Sequence, residues 1–245
     1  MSSTSYLARV RILRVHTISA LRIVSLCGMI AVAACSKDES TNAVPSTPAS
    51  LSLASGAQQS AVVGSALGTP VAFKVVDQNG APMEGVDVTL VLTGGGSVSA
   101  NVVTTDANGL ASVTWTLGTT AGADTLSASV AALPGVVVAA TALPDAPASL
   151  AVVSGASQSG TVGSTLGTPL EVRALDQYGN PVPNVVVNWA DDANGTFESP
   201  TSVTDTNGIA INVYTLGPSA GPEDVSATVA TPAAVVTTSL VELGS

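Results

Sequence analysis

Residues 48–70 read PASLSLASGAQQSAVVGSALGTP, and residues 147–169 read PASLAVVSGASQSGTVGSTLGTP, the same segment 99 positions later. The offset continues without a gap to residue 229, and roughly four in ten aligned positions are identical. A period near 100 residues is too long for a solenoid repeat but matches a complete sandwich domain. The chain therefore contains two copies of one domain, which we predict at residues 48–143 and 147–245.

Hydrophobic alternation predicts an all-β fold for each copy. Val71, Phe73 and Val75 alternate with Ala72 and Lys74, which is typical of a strand with one buried face. Turn signals bound seven candidate strands in the first copy, at residues 50–54, 70–77, 85–92, 96–105, 110–117, 124–131 and 135–142. We expect two tandem immunoglobulin-like β-sandwiches.

One aligned pair conflicts with this pattern. Asn212 of the second copy aligns with Val113 of the first, on a face that we expect to be buried.

Aromatic residues are few after the first 34 positions, and two interpretations of them stay open. The six are Phe73, Trp115, Tyr178, Trp189, Phe197 and Tyr214. Trp115 aligns with Tyr214, and Trp189 with Leu90, all on alternating strands, which favours a place in the core. The alternative is a platform on which sugars stack, and this requires exposed rings.

Three acidic turns are candidate cation ligands. Residues 106–109 (DANG), 205–208 (DTNG) and 191–195 (DDANG) read as tight turns, because Asn and Gly tolerate left-handed backbone conformations. Carboxylate and amide oxygens also suit calcium, but none of these turns has the spaced ligands and distal Glu of an EF-hand loop. We therefore predict turns and no metal site, with calcium as the alternative.

Composition restricts the chemistry and the partners. The only histidine, His16, lies in the leading segment, so Ser–His and Cys–His catalysis are excluded from the remainder of the chain. A carboxylate-only hydrolase stays open, if two acidic groups face a cleft about 5–10 Å apart. From Cys35 onward three basic residues stand against 17 acidic ones, a formal charge of −14, which argues against nucleic acid. We predict no enzyme activity and no cofactor.

The leading segment reads as an export signal. Four arginines precede residue 23, and an apolar run of about a dozen residues follows, too short for a membrane-spanning helix of roughly 20. The run ends at Val32-Ala33-Ala34-Cys35, which resembles the lipobox of bacterial lipoproteins. The resemblance implies that residues 1–34 are a signal peptide, that cleavage falls between Ala34 and Cys35, and that Cys35 carries the lipid. An ordinary secretory signal that contains a cysteine is the alternative.

The residues after Cys35 predict a tether and a location. Residues 36–47 are polar and lack apolar periodicity, so residues 35–47 form a lipidated cysteine and a flexible linker. In the lipoprotein sorting of enteric Gram-negative bacteria, an aspartate after the cysteine retains the protein in the inner membrane. Ser36 stands there instead, so the resemblance implies the outer membrane.

Each copy also resembles the bacterial immunoglobulin-like domains of group 1, the type found in invasin and intimin adhesins. The shared features are PASL at the start, D-Q-x-G-x-P at residues 77–82 and 176–181, T-D-x-N-G-x-A at 105–111 and 204–210, and T-L-G-x-x-A-G at 116–122 and 215–221. The resemblance implies a spacer or adhesive module and carries over no catalytic residue.

Together these features predict a non-enzymatic, lipid-anchored protein of the cell envelope. Its tandem domains would act as adhesion, interaction or spacer modules, and its partner at the cell surface would be a protein or a polysaccharide. The runner-up is a carbohydrate-binding surface lipoprotein.

Overall fold

A computed structural model describes residues 45–230 and 235–244, which form strands and turns without a helix. The first ten strands are β1 (Pro48–Ser55), β2 (Gln59–Val62), β3 (Val71–Asp77), β4 (Asp87–Thr93), β5 (Ser97–Val98), β6 (Val102–Thr104), β7 (Leu110–Val113), β8 (Trp115–Thr116), β9 (Gly122–Ser129) and β10 (Val136–Leu143). The next ten are β11 (Ser149–Ser154), β12 (Ser159–Gly160), β13 (Leu170–Leu175), β14 (Val186–Asp191), β15 (Thr196–Phe197), β16 (Thr201–Val203), β17 (Ile209–Asn212), β18 (Tyr214–Thr215), β19 (Gly221–Ala230) and β20 (Val235–Gly244).

The strands form two β-sandwiches of the same topology. In the first, a three-stranded sheet in the order β1-β3-β7 faces a five-stranded sheet in the order β2-β10-β9-β4-β6. In the second, the orders are β11-β13-β17 and β12-β20-β19-β14-β16. The pairings β2–β10 and β12–β20 are parallel, and the other pairs of strands are antiparallel. The repeated topology confirms the prediction of tandem immunoglobulin-like sandwiches.

The hydrophobic core of each sandwich lies between its two sheets. Val71, Phe73 and Val75 of β3 are fully buried and Lys74 is exposed, as the alternation predicts, whereas Ala72, expected on the same face as Lys74, is buried too. Their counterparts in β13, Leu170, Val172 and Ala174, are fully buried too. Burial of such side chains contributes about 1.5–3 kcal/mol each for the larger ones, so these inward rows are the main stabilising feature of either sandwich.

The aromatic side chains on strands lie in the cores. Trp115 is 0% exposed, Tyr214 1% and Trp189 5%, which confirms their assignment to the core. In the second sandwich Phe197 stands between the other two rings, with its centroid 6.1 Å from that of Trp189 and 4.8 Å from that of Tyr214. Tilted rings at these separations pack favourably.

Two predicted strands are each divided in the structure. Within residues 96–105, β5 pairs with β8, whereas β6 pairs with β4 in the five-stranded sheet. Within residues 110–117, β7 belongs to the three-stranded sheet and β8 does not. The chain thus changes its pairing partner inside each stretch, which the alternation of side chains does not reveal. The sequence prediction also missed β2, whose four residues pair in parallel with β10.

The conflict at Asn212 is resolved by two hydrogen bonds of its side chain. Asn212 is 4% exposed, so its face is buried as predicted. Its Nδ2 donates to the carbonyl oxygen of Ser199 at 2.7 Å, and its Oδ1 accepts from the N–H of Val213 at 2.9 Å. A buried amide is tolerated where its polar atoms are paired in this way.

The predicted signal peptide, the cleavage site at Ala34 and Cys35, and residues 36–44 lie outside the described residues. At the start of the described part, the Ser46 hydroxyl donates to Asp77 Oδ2 at 2.9 Å and the Thr47 N–H donates to Gln78 Oε1 at 3.1 Å. Within the described ranges, no helix is long and apolar enough to cross a membrane.

Candidate functional site

The acidic turns use their carboxylates to close the backbone. Asp106 Oδ1 accepts from the N–H groups of Asn108 and Leu110, at 2.8 and 2.9 Å, and Asp205 does the same with Asn207 and Ile209. The hydrogen bond from the Leu110 N–H is the largest influence on Asp106 and lowers its pKa. Within residues 45–230 and 235–244, no three His, Cys, Asp or Glu side chains are grouped to hold a metal ion. In the arrangement observed, the Asp106 and Asp205 carboxylates close their own turns.

Glycine is required in these turns for conformation and for space. Gly109 and Gly208 both have a φ of +73°, in the left-handed region. A Cβ on Gly109 would also lie 2.5 Å from the carbonyl oxygen of Val75, so a larger residue would be strained and would clash.

Each sandwich also buries one carboxylate at an equivalent position. Asp124 is 2% exposed, and its Oδ2 accepts from the Gly118 N–H at 2.9 Å. Glu223 is 1% exposed and accepts from the Gly217 N–H at 3.0 and 3.1 Å. A buried carboxylate needs such donors because an unpaired charge in the interior is costly. The sequence prediction missed both residues, although Asp124 and Glu223 align in the repeat.

In the second sandwich the buried glutamate belongs to a small network. The Tyr214 hydroxyl lies 2.7 Å from Glu223 Oε2 and 3.0 Å from Asp191 Oδ2. Asp191 Oδ2 also accepts from the Gly195 N–H at 2.6 Å. Burial and the hydrogen bonds to Glu223 and then Asp191 raise the pKa of Tyr214 far above 10.0. The phenol therefore stays protonated and bridges the two carboxylates.

This network does not form a hydrolytic site. The carboxylates of Asp191 and Glu223 are close together, but the phenol of Tyr214 occupies the space between them, where a scissile bond and a water molecule would be required. The cavity found on the second sandwich, of about 340 Å³, is lined by Pro147, Asn184, Val185, Val186, Asn188, Val229 and Ala230. No acidic side chain is among them, so the paired carboxylates and the cavity are separate.

A further group of hydrogen-bonded polar residues lies where the two sandwiches meet. Asp145, in the segment between them, bonds to the second sandwich twice, because its N–H donates to Asp176 Oδ2 at 3.1 Å and its Oδ2 accepts from Gln177 Nε2 at 3.0 Å. Asp176 begins the loop of residues 176–181 (DQYGNP), which we call the junction loop. The net effect of the surroundings is to lower the pKa of Asp176. Burial is the largest single influence and acts to raise the pKa, but the hydrogen bonds from Asn180, Asp145 and Tyr178 together outweigh it.

Asn180 of the junction loop contacts the first sandwich directly. Its Oδ1 accepts from the Ala121 N–H at 2.8 Å, and its Nδ2 donates to the Thr119 carbonyl oxygen at 2.8 Å. The same Nδ2 donates to Asp176 Oδ2 at 2.9 Å. Only 7% of Asn180 is exposed, and every hydrogen-bonding atom of its amide is engaged.

Tyr178 adds a second contact across the junction. A Cβ on Gly64 of the first sandwich would lie 3.3 Å from the Tyr178 hydroxyl oxygen, so the end of the phenol lies beside Gly64. Tyr178 is 47% exposed, with its remaining surface covered. The sequence prediction named Tyr178 only among the six aromatic residues and did not single out Asn180. The sequence did contain an indication of their role, because the loops at 77–82 and 176–181 differ only at the positions of Tyr178 and Asn180.

Comparison with known proteins agrees with this architecture. Residues 155–241 match the family model of the bacterial Ig-like domain (group 1). No curated protein matches the chain. Among solved structures, InvD of Yersinia pseudotuberculosis is similar with 22% identity and a TM-score of 0.52, over 75% of this chain and 54% of InvD, so the match spans about half of InvD.

Two further solved structures are similar at lower scores. The D0-D1 domain of intimin has 21% identity and a TM-score of 0.32, over 80% of this chain and 98% of its own. FdeC, described as an Escherichia coli adhesin, has 23% identity and a TM-score of 0.47, over 80% of this chain and 64% of its own. By its own sheet topology the chain is a tandem of immunoglobulin-like β-sandwiches, and residues 155–241, in the second, match the bacterial Ig-like domain of group 1.

Proposed function

We propose that the protein is a non-enzymatic component of the bacterial cell envelope, held by a lipid on Cys35, whose tandem sandwiches act as adhesion or spacer modules. The observation that supports this most is the use of the acidic side chains. Asp106, Asp124, Asp205 and Glu223 all bind backbone N–H groups of their own sandwich. Polar groups engaged in this way stabilise a framework, and such a framework presents surfaces to partners.

The proposed anchor rests on the sequence of the leading segment. The lipobox-like run ends at Cys35, and the strands begin at Pro48, so a short polar segment separates the proposed lipid from the first sandwich. Two or three acyl chains hold a protein on a membrane almost permanently, because each buried CH₂ contributes about 0.8 kcal/mol. Ser36 in place of aspartate supports an outer-membrane location.

The carbohydrate-binding alternative receives less support. Trp115 and Trp189, the residues best suited to stack on sugars, are buried. Tyr178 stays partly exposed but rests against Gly64 at the junction, so its ring is not one of a row of free aromatic platforms.

Replacement of Cys35 tests the anchor. We expect Cys35→Ala to abolish incorporation of a clickable palmitate analogue and to release the protein from the membrane fraction. Cys27→Ala, in the same leading segment, is the matched control and should leave both unchanged. A Cys35→Ala protein that still carries label and sediments with membranes would contradict the lipoprotein assignment.

Exposure on the cell and partner class need separate measurements. External protease applied to intact cells should degrade the protein if it displays its sandwiches at the surface, and complete protection would place it on the periplasmic side and argue against adhesion. A pull-down and a glycan array with residues 48–245 would then separate a protein partner from a polysaccharide.

A further inference from the structure

We infer that Tyr178 and Asn180 form a clamp, present in only one of the two repeats, that fixes the second sandwich on the first as a single rigid unit. The inference concerns the mechanics of the pair and holds whether or not Cys35 is lipidated. It rests on a comparison of the junction loop with the loop of residues 77–82 in the first sandwich (DQNGAP), which we call the upstream loop.

The two loops share one internal framework. Asp176 Oδ1 accepts from the N–H groups of Tyr178 and Asn180, both at 2.8 Å. In the upstream loop, Asp77 Oδ1 accepts from those of Asn79 and Ala81, at 2.8 and 2.9 Å. Both loops also bind the segment that precedes their sandwich, through Ser46 in the first and Asp145 in the second. The bonds from the backbone N–H groups to the aspartate are therefore the same whichever residues occupy the third and fifth positions, and Asn180 adds a side-chain bond to Asp176.

Only the residues that cross the junction differ. Of the six positions, four are identical, and the two substitutions are Asn79 for Tyr178 and Ala81 for Asn180. In the junction loop these two positions carry side chains that reach the first sandwich. Ala81 has no polar side-chain atom and could not make either of the cross-junction hydrogen bonds. The two repeats thus share the four loop residues that are identical, and they differ at the two positions whose side chains reach the first sandwich in the junction loop.

The geometry explains why these two contacts restrict motion. Asn180 binds a carbonyl and an N–H two residues apart on the first sandwich, so rotation about either hydrogen bond breaks the other. The Tyr178 contact at Gly64 lies on a different segment and adds a further point of attachment. The bonds of Asp145 to the junction loop shorten the free part of the connection. Without such contacts, domains joined by a short linker move relative to one another by default.

The experiment measures the spread of distances between the sandwiches in the full chain. Spin labels are placed at the equivalent, outward-facing positions Ser112→Cys on β7 and Ile211→Cys on β17, with Cys27 and Cys35 replaced by serine. The double variant Tyr178→Asn/Asn180→Ala gives the junction loop the residues of the upstream loop. Because the upstream loop is itself well formed, this variant should fold. Circular dichroism and the urea midpoint of each sandwich check that it does.

We expect one narrow distance distribution in the parent protein and a width roughly doubled in the double variant. Asn180→Asp is a second variant. It keeps the size of the side chain but places a carboxylate oxygen against the Thr119 carbonyl and Asp176, so it should broaden the distribution as well. The matched control, Asn79→Ala in the upstream loop, should change nothing.

Three results would overturn the clamp. They are a parent distribution that is already broad, a double variant as narrow as the parent, and a control that broadens as much as the double variant. Because Cys35 is absent from every protein in this series, none of these results depends on the proposed lipid anchor, and a failure of that anchor would leave this test unaffected.

Discussion

The two sandwiches bury a carboxylate at the same place but surround it differently. Asp124 of the first lies near the strand that carries Trp115, and Trp115 Nε1 is buried without a hydrogen-bond partner in the described residues. Glu223 of the second accepts a hydrogen bond from Tyr214, which also contacts Asp191. The aligned residue in place of Asp191 is Leu92. One fold therefore accommodates this buried carboxyl group with or without a phenol and a second carboxylate in the aligned positions.

The comparison shows which features belong to the fold and which to one copy. Both copies keep the glycine N–H that binds the carboxyl group, through Gly118 and Gly217, because a buried polar group needs a hydrogen-bond partner. The phenol and the second carboxylate occur only in the second copy. Substitutions that exploit this difference should affect one sandwich and leave the other unchanged.

The largest expected effect is on the first sandwich. Trp115→Ala removes a fully buried ring and should lower the free energy of unfolding of that sandwich by about 3–5 kcal/mol. Trp189 then remains as the only tryptophan, so its fluorescence reports the second sandwich alone. We expect an early transition by far-ultraviolet circular dichroism and an unchanged urea midpoint by fluorescence. An equal fall of both midpoints would show that the two cores unfold together.

A smaller effect is expected from the phenol of the second sandwich. Tyr214→Phe keeps the ring but withdraws the hydroxyl from Glu223 and Asp191, which should cost about 1–3 kcal/mol of stability because a buried acceptor loses its donor. Thr201→Val, which removes an exposed hydroxyl from β16 of the same sandwich, is the control and should change stability by no more than about 0.5 kcal/mol. Equal urea midpoints for the Tyr214→Phe variant and the parent would contradict a stabilising network.

The smallest expected effect is a difference in alkaline stability. Burial and the two carboxylates raise the pKa of Tyr214 in the folded state above its ordinary value of 10.0. The unfolded chain therefore ionises first, so the contribution of this phenol is complete below pH 10 and is lost as the pH rises further. Trp115 does not titrate at the equivalent position.

Urea unfolding between pH 8 and pH 11, followed separately for each sandwich, tests this difference. The midpoint of the second sandwich should fall more steeply above pH 10 than that of the first, and Tyr214→Phe should remove the difference. If the urea midpoints of the two sandwiches fall equally with pH in the parent protein, the raised pKa of Tyr214 has no consequence for stability.

Much of the architecture could be predicted because the repeat and the alternation are local signals. The inward row of Val71, Phe73 and Val75 follows from a period of two residues, and the burial of Trp115 follows from its place on an alternating strand. The left-handed backbone at Gly109 and Gly208 agrees with the turn chemistry of the DxNG motif. Each of these features is encoded within a few neighbouring positions.

The features that were missed depend on residues far apart in the chain. The division of residues 96–105 into β5 and β6 depends on their different pairing partners, β8 and β4. The pairing of Asp191 with Glu223 through Tyr214 joins three strand ends that no local pattern connects. Asn180 lies in a turn sequence, where an asparagine is common. Its hydrogen-bond partners Thr119 and Ala121 lie about sixty residues earlier in the chain, so no local pattern indicates them.

The sequence by itself determined the duplication, the all-β class and the burial of the alternating strands, because hydrophobic periodicity acts through neighbouring residues. It also carries the whole case for lipid attachment at Cys35, which lies outside the described residues. Only the tertiary structure decided which polar side chains are paired, since a hydrogen bond requires two groups to meet within about 3 Å with the correct orientation. For that reason two loops of nearly identical sequence, at residues 77–82 and 176–181, differ in their contacts: the second alone reaches the neighbouring sandwich.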